Sequence, residues 1–404
     1  MLKILIFLTV VSSGLCVFRF DNYTLYKVLP KNVDQIKSLQ ALEASEFRFD
    51  FWSDPGFLSF ILLRVLLCFR LIDRQTVKPY TRGNLRSMTF DAYHDNDQIN
   101  AWLDDLATAY PDTVTPLVGG LSYEGREIRG IKISHGEGRK IIFIEGGIHA
   151  REWISPATVI YLTNELLTSN NEDAKAAAND FDWYIFPVTN PDGYIWTHTD
   201  FRLWRKNRRP VGTEFGIDLN RNWDNNWMGA STNPASNTYA GTAPFSEPET
   251  RDLAAFIRSV GDKIDLYLSF HSSGQLLLLP YGNTTEPLGN YYDAVRIILK
   301  KIVDLEELDV PLVYCYELRD RGVYGHLLPP EQILPTSEET WDSVLDLIYQ
   351  ARRFGYLIND RSDDLVTTTD SPNTTDDDGG NSGVGVQGSL VIMILMVFSL
   401  IMCC

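Results

Sequence analysis

Basic residues are scarce in this chain relative to acidic ones. Its 404 residues include 36 Lys and Arg against 53 Asp and Glu, which gives a formal net charge of −17. Such a surplus of negative charge repels phosphate backbones, and the densest basic stretch, residues 202–209, is not dense enough to offset it. Nucleic acid is therefore not expected as a partner.

Cysteine is scarcer still, with five residues in the whole chain. Three of them lie in the terminal segments, so only Cys68 and Cys315 remain in the body. Two thiols can form one bond at most, which excludes a small disulfide-stapled scaffold. The rest of the composition, with 44% hydrophobic and 22% charged residues, is typical of a globular protein. It excludes a disordered, collagenous or polytopic membrane chain as a description of the whole.

Long apolar runs are confined to the two ends and to one internal segment. Residues 1–16 contain one early cation, Lys3, then an apolar run over 4–11 and small residues at 12–14. This pattern is typical of a secretory signal peptide, and the run is too short to span a bilayer. A buried strand is the alternative interpretation.

The C-terminal residues 388–404 are almost wholly apolar, with no basic residue after them. They follow residues 361–387, a stretch rich in Ser, Thr, Asp and Gly that is expected to form a disordered stalk. Small residues near Gly380, a spacer and the apolar tail predict a GPI-anchor signal, with a short transmembrane anchor as the alternative. The expected protein is secreted and extracellular, or tethered to the cell surface through this tail alone.

Residues 17–86 are expected to form a small α+β unit. A strand-like run over 26–29 precedes apolar residues that are spaced for one helix face over 33–42. Residues 57–70 are atypical, because all but three are apolar, yet the run is too short to cross a membrane. A buried core segment is the first interpretation, and a defect in the gene model is the alternative.

Residues 87–360 alternate between strand-like and helix-like patterns. Continuous apolar runs predict buried parallel strands, and apolar residues at helical spacing predict helices. Their alternation predicts an α/β fold with an open, twisted, mixed and mostly parallel sheet that carries helices on both faces. The ligand site of such a sheet lies at the carboxyl ends of its strands. The predicted strands are 140–145, 183–188 and 264–270, and the predicted helices are 99–109, 156–167 and 337–354.

Histidines follow two of these predicted strands. His149 comes shortly after the first strand, and Glu152 lies three residues later in a loop that leads into a helix. An imidazole and a carboxylate at this spacing can converge on one ion, and zinc accepts such ligands but needs a third. His271, directly after the 264–270 strand, is the candidate for the third ligand. The alternative for His271 is a hydrogen-bonded histidine of the core.

Five motifs stand in order along the chain: HAREWI at 149–154, NPDGY at 190–194, RLWRKN at 202–207, DLNRNW at 218–223 and ELRD at 317–320. With them, the sequence resembles the zinc metallocarboxypeptidases of the pancreatic and insect digestive carboxypeptidase A/B type, which are made as zymogens. FDAYH at 90–94 looks like the start of their mature domain. The resemblance covers about residues 26–357.

The resemblance implies an exopeptidase that acts on the C-termini of peptides and proteins with one Zn²⁺ per chain. Zinc lowers the pKa of a bound water, and the resemblance makes Glu317 the base that takes its proton. Arg205 would stabilise the developing oxyanion, and Asp218 would accept a hydrogen bond from a ligating imidazole. The implied zinc ligands are His149, Glu152 and His271; Asn220 and Arg221 would grip the terminal carboxylate of the substrate, and Arg151 would contact it as well.

The resemblance also makes residues 17–86 a propeptide that covers the cleft of a catalytic domain at 87–360. A trypsin-like protease is then an expected partner, since Arg82 and Arg86 lie in a polar stretch that is expected to be an exposed loop. The enzyme is expected to be a monomer.

The chain departs from the family between His271 and Glu317, where its span is shorter by a few dozen residues. This deletion, near residues 297–311, removes the segment that brings a capping tyrosine and the floor of the specificity pocket; it is either real or a defect in the gene model. Specificity for basic or apolar C-terminal residues therefore stays open. So does the alternative of a catalytically impaired zinc-binding surface protein that binds peptides or inhibitors without efficient turnover. Arg319 and Asp320 are expected to form a structural ion pair.

Overall fold

The computed structural model describes residues 23–28, 49–51, 59–64, 77–224, 227, 230–261, 264–278 and 310–358. The predicted signal peptide, stalk, anchor signal and 33–42 helix lie outside the described residues. So does the predicted deletion, apart from residues 310 and 311.

The described part of residues 17–76 forms a three-stranded antiparallel sheet. Its strands are β1 (Tyr23–Val28), β2 (Phe49–Phe51) and β3 (Ser59–Arg64), in the spatial order β1-β3-β2. The strand predicted at 26–29 therefore begins three residues earlier. The atypical apolar segment supplies the central strand, which pairs with a neighbour on each side. The assignment of this region as a propeptide stays a prediction.

A seven-stranded mixed sheet lies at the centre of the described structure. Its strands are β4 (Val114–Leu121), β5 (Glu127–Ile133), β6 (Lys140–Gly146), β7 (Phe181–Phe186), β10 (Ile264–Ser272), β11 (Leu276–Leu278) and β12 (Leu312–Leu318). Their spatial order is β11-β12-β10-β6-β7-β5-β4. The four central strands β12, β10, β6 and β7 run parallel, and the outer strands pair antiparallel with their neighbours. A separate small hairpin is formed by β8 (Pro210–Val211) and β9 (Glu214–Phe215).

Helices cover both faces of this sheet, because its central strands are apolar on both sides. Along β6, Ile142 and Ile144 pack into one hydrophobic core, whereas Ile141 and Phe143 pack into the other. The second core includes Leu253 from the helix Pro248–Val260. The helices are α1 (Asn96–Ala109), α2 (Ile154–Thr168), α3 (Glu172–Asp180), α4 (Pro191–Thr199), α5 (Pro248–Val260) and α6 (Ile333–Arg353).

The predicted α/β class and its helix-covered sheet are confirmed. All three predicted strands and all three predicted helices appear, with ends that differ by a few residues. In the described part of the chain, the helices lack the combination of length and apolarity that a bilayer span requires. Cys315 lies buried in β12.

The expected ion pair between Arg319 and Asp320 is wrong. Arg319 instead pairs with Glu339 on α6, with Nε 2.8 Å from Oε1. The Asp320 carboxylate accepts backbone N–H groups from the loop that follows it, including those of Gly322 and Tyr324 at 2.9 and 2.8 Å. Four backbone N–H groups, those of residues 322–325, satisfy the Asp320 carboxylate, so Arg319 has its partner on another element.

Candidate metal centre

The carboxyl ends of β6 and β10 meet where the sheet changes direction. From β6 the chain passes through α2 and α3 to β7, whereas β10 lies on the other side of β6. Ligands of open α/β sheets bind in the crevice at such a switch point. His149 follows the last residue of β6 by three positions, and His271 is the penultimate residue of β10. Glu317 on β12 lies beside His271 in the parallel register.

The loop between β6 and α2 is anchored so that His149 has a fixed position relative to β10. Gly147 adopts a φ of +67°, and a Cβ atom there would lie 3.1 Å from the carbonyl oxygen of Pro187. Only glycine suits both the conformation and the space. The Ser155 hydroxyl accepts the Gly147 N–H at 3.0 Å and donates to the Phe270 carbonyl at 2.6 Å, which ties the loop to the end of β10.

His149, Glu152 and His271, here called the His-Glu-His group, converge at this point. The Nδ1 atom of His149 lies 2.9 Å from Glu152 Oε1, and the Nδ1 atom of His271 lies 3.1 Å from Glu152 Oε2. The two Nδ1 atoms are 3.1 Å apart. All three side chains are nearly inaccessible to solvent, and one ligand atom from each lies within 4.8 Å of the others. The group has the size and the donor types of a site for one metal ion.

The protonation of His149 indicates that this group fits a cation. Its Nε2 atom lies 3.2 Å from Asp218 Oδ1. Burial alone would raise the pKa of Asp218, but the charge of Arg205 and the hydrogen bond from His149 outweigh it and hold the pKa well below its usual range. The carboxylate is therefore an acceptor, and Nε2 must carry the proton.

Burial, and then the charge of Arg205, lowers the pKa of His149, so its ring is neutral and Nδ1 presents a lone pair. That lone pair faces the Glu152 carboxylate at 2.9 Å. Two acceptors at this distance repel unless a cation lies against both. The donor set thus fits a metal ion.

The potential at His271 also favours positive charge. Burial alone would lower the pKa of His271, but the hydrogen bond and charge of Glu152, together with the charges of Glu317 and Glu145, raise it to about 9. These carboxylates lie on different elements and surround one small volume. A divalent cation placed there would satisfy the same negative potential.

Comparison with known proteins identifies the family. The family model described as zinc carboxypeptidase matches residues 99–304. The chain belongs to the zinc carboxypeptidase family. It is 45% identical over 299 residues to the zinc carboxypeptidase of Simulium vittatum, which covers 66% of this chain and 98% of that protein. It is 39% identical over 398 residues to zinc carboxypeptidase A 1 of Anopheles gambiae, which covers 84% of this chain and 92% of that protein.

Solved structures agree with this membership. The carboxypeptidase A of Helicoverpa armigera matches with a TM-score of 0.70 at 26% identity, over 83% of this chain and 98% of that one. The predicted resemblance, the fold class, the zinc cofactor and the exopeptidase class of hydrolase are therefore confirmed.

Arg205 lies beside the His-Glu-His group in a buried position. The sequence around it is a basic stretch, for which a solvent-exposed loop would be the ordinary expectation. Its side chain is instead only 9% exposed. Nε donates to Asp218 Oδ2 at 3.0 Å, and NH1 lies 3.7 Å from Glu152 Oε1. Its carbonyl accepts the N–H of Ala150 at 3.0 Å, which links this stretch to the His149 loop.

The predicted substrate-contacting residues lie close to the same end of the sheet. Asn220 and Arg221 form a 3-10 turn, Leu219–Arg221, that directly follows Asp218, and both are half-buried. Asp218 caps this turn by accepting the Asn220 N–H at 3.0 Å. Arg151, in the His149 loop, is 1% exposed, and its carbonyl accepts NH1 of Arg202 at 2.8 Å.

Asn207 belongs to the RLWRKN motif, and the sequence alone predicts no function for it. It is fully buried, and its Oδ1 accepts the Ile217 N–H at 2.8 Å. Its backbone N–H donates to the Ile217 carbonyl at 3.0 Å. Asn207 thus joins the segment of Arg205 to the residue before Asp218. Only its occurrence in a motif with Arg205 could have signalled this role, since the partner lies ten residues away.

Proposed function

We propose that this carboxypeptidase removes the C-terminal residue of peptides and proteins at the His-Glu-His group, with His149, Glu152 and His271 as the zinc ligands. The observation that carries the proposal is geometric: at a strand switch point, one ligand atom from each of these three side chains lies within 4.8 Å of the others, as the binding of one cation requires. When bound, zinc lowers the pKa of a water molecule and polarises the scissile carbonyl.

Glu317 is the proposed general base. It is 3% exposed and lies beside His271 at the carboxyl end of β12, and its charge contributes to the raised pKa of His271. A carboxylate in this position can accept a proton from the attacking water and pass it to the leaving amine. The crevice admits little bulk water at this depth, which strengthens the electrostatic effect of such a group.

Three arginines and one asparagine are proposed to bind the substrate. Arg205 donates to Asp218 through Nε and lies beside the His-Glu-His group. There it would stabilise negative charge on the carbonyl oxygen of the scissile bond. Asn220 and Arg221 follow Asp218 and would bind the terminal carboxylate, which restricts cleavage to chain ends. Arg151 is proposed as a secondary substrate contact.

The processing and location of the enzyme belong to the same proposal. The apolar N-terminus, the segment 17–86 and the apolar tail support a secreted zymogen that is held at the cell surface by a GPI anchor. A trypsin-like protease would release the catalytic domain by cleavage near Arg82 or Arg86, and this domain would act as a monomer on peptide C-termini. The specificity of the pocket is left open, since the residues that would form its floor fall in the shortened span.

The test uses the full chain after treatment with trypsin, in wild-type form and as Glu317→Gln. We expect one zinc per chain in both proteins and release of C-terminal amino acids from a peptide panel by the wild type only, with at least ~10²-fold loss in the variant. Glu172→Gln, at an exposed helix position, serves as the matched control. Zinc binding without any release of amino acids by the wild type would contradict the proposal and favour a binding protein without turnover.

A further inference from the structure

The stretch from residue 77 to residue 88 contains both arginines that a trypsin-like protease could cut, and the two differ in their surroundings. Residues 81–84 are all exposed. They form a turn in which the Asn84 N–H donates to the Thr81 carbonyl at 3.0 Å. The Arg82 side chain is 71% exposed. A protease can therefore reach both sides of the Arg82–Gly83 bond after a small local opening.

Arg86 is exposed as well, but its neighbours are not. It lies in the 3-10 turn Leu85–Ser87, and Leu85 packs against the main hydrophobic core. Met88, two residues beyond, is 4% exposed and belongs to that core. Binding the Arg86–Ser87 bond in an extended conformation would pull both apolar side chains into water. Cleavage there is thus opposed by the loss of their burial.

Asp105 on α1 lies against the nitrogen atom that cleavage after Arg82 would release. Its Oδ2 atom accepts the backbone N–H of Gly83 at 2.5 Å and the hydroxyl of Tyr80 at 2.5 Å. Both donors are uncharged in the intact chain. The neighbouring Asp104 pairs with Arg129 of β5 and, at 3.4 Å, with Arg82. The charged groups around this nitrogen are therefore Asp104, Asp105, Arg82 and Arg129.

We propose that the Arg82–Gly83 bond is the activation site and that the amino terminus created at Gly83 forms an ion pair with Asp105. The inference rests on the proposed zymogen. Hydrolysis adds one water: the C–N bond breaks, Arg82 acquires a carboxylate, and the Gly83 nitrogen becomes an α-ammonium group. This cation arises where the Asp105 carboxylate already accepts a hydrogen bond from an uncharged N–H, so this contact becomes an ion pair without rearrangement.

The consequence is a mature enzyme whose new terminus is fixed to its surface. Leu85 and Met88 hold the terminal segment through the core, and Asp105 holds its first residue. Cleavage after Arg86 would instead remove Gly83 and the Leu85 packing. Loss of Arg82 leaves Asp104 with Arg129 as partner, so no carboxylate is left unpaired beside the new terminus.

The first experiment locates the cut. Full-length wild type, Arg82→Gln and Arg86→Gln are treated with trypsin, and the new N-termini are identified by N-terminal sequencing and intact mass. We expect Gly83 as the terminus of the wild type and of Arg86→Gln, and at least tenfold slower processing of Arg82→Gln. A wild-type terminus at Ser87, or unchanged processing of Arg82→Gln, would overturn the assignment. Zinc content of each variant checks that it is folded.

The second experiment tests the ion pair with Asp105→Asn and, as matched control, Asp104→Asn. Asp105→Asn should lower the melting temperature of the cleaved protein more than that of the uncleaved protein, whereas Asp104→Asn should not. The Gly83 amine of cleaved wild type should react with an acylating reagent at pH 8 about threefold or more slowly than that of Asp105→Asn, since the ion pair raises its pKa. Equal labelling rates and equal melting shifts would overturn the ion pair.

Neither readout depends on peptidase activity. An inactive but correctly processed protein would contradict the proposed function alone, and an active enzyme that begins at another residue would contradict this inference alone.

Discussion

Two groups of buried carboxylates lie in the main α/β unit, and they differ in the partners that surround them. In the His-Glu-His group, Glu152 faces the Nδ1 atoms of two histidines, one of which must present a lone pair. In the second group, here called the Asn207 network (Asn207, Glu247 and Glu249), the carboxylates face donors. Asn207 Nδ2 donates to Glu247 Oε2 at 2.8 Å, and the Tyr123 N–H donates to Glu249 Oε1 at 3.0 Å.

The comparison shows that burial of acids does not by itself indicate a metal site. The Asn207 network is closed by protein hydrogen bonds, to which Arg209 adds a charged donor 3.2 Å from Glu247. In the His-Glu-His group, Glu152 also accepts the Ser272 N–H at 3.2 Å, but its contact with Nδ1 of His149 is satisfied only if a cation is added. The first arrangement is expected to support the fold, and the second to bind zinc.

The largest expected effect separates the two groups directly. Glu152→Gln should lower zinc affinity by at least ~10²-fold, because the amide replaces the only anionic ligand. Glu249→Gln, the matched buried acid, should retain one zinc per chain. Zinc affinity is measured by competition with a chelating dye. Equal losses in both variants would remove the distinction between the groups.

A smaller effect is expected at Asp218, which contacts His149 and follows Ile217, the residue that Asn207 binds. Asp218→Asn should weaken zinc binding by about 10- to 100-fold, since the carboxylate that fixes the protonated Nε2 of His149 is lost. The same competition assay measures the change. Unaltered zinc affinity would show that the contact of Asp218 with His149 does not contribute to zinc binding.

Asn207→Ala tests the link between the network and the site, with an expected decrease in kcat of about tenfold. Loss of the Asn207 amide removes its hydrogen bond to Ile217, which holds the segment of Arg205. We therefore expect kcat to fall by a larger factor than KM rises. The zinc content should stay at one per chain. Ser246→Ala removes a hydroxyl that donates to Glu247 at 2.8 Å and serves as control. A general loss of folded protein without a kinetic change would make Asn207 purely structural.

The last expected effect concerns the pH dependence of stability. Burial, together with the nearby charges of Glu247 and Asp192, raises the pKa of Glu249 from 4.5 to about 7. Between these values the folded state binds more protons than the unfolded state, so stability falls as pH rises from about 4.5 to 7.

Glu249→Gln removes this loss, which amounts to at most about 3 kcal/mol. The melting temperature of the variant relative to the wild type should therefore increase by a few degrees from pH 5 to pH 7.5. A constant difference across this range would contradict the raised pKa.

The sequence predicts those parts of the molecule that depend on local pattern. The apolar run at 140–145 and the histidine that follows it predict both β6 and one candidate ligand. His271 follows from the same reasoning, and the ordered motifs connect it with Glu317. Contacts between distant segments are not predicted by local pattern. The bond from Ile217 to Asn207 and the pairing of Arg319 with Glu339 depend on where the loops pass, which no spacing encodes.

The most direct measurement is X-ray anomalous scattering at the zinc absorption edge from crystals of the purified protein. We expect one strong peak per chain, bounded by Nδ1 of His149, Nδ1 of His271 and the Glu152 carboxylate, with Zn–N distances of about 2.0–2.1 Å. No peak at this position, or a zinc ion bound by other side chains, would contradict the assignment of the His-Glu-His group as the metal centre.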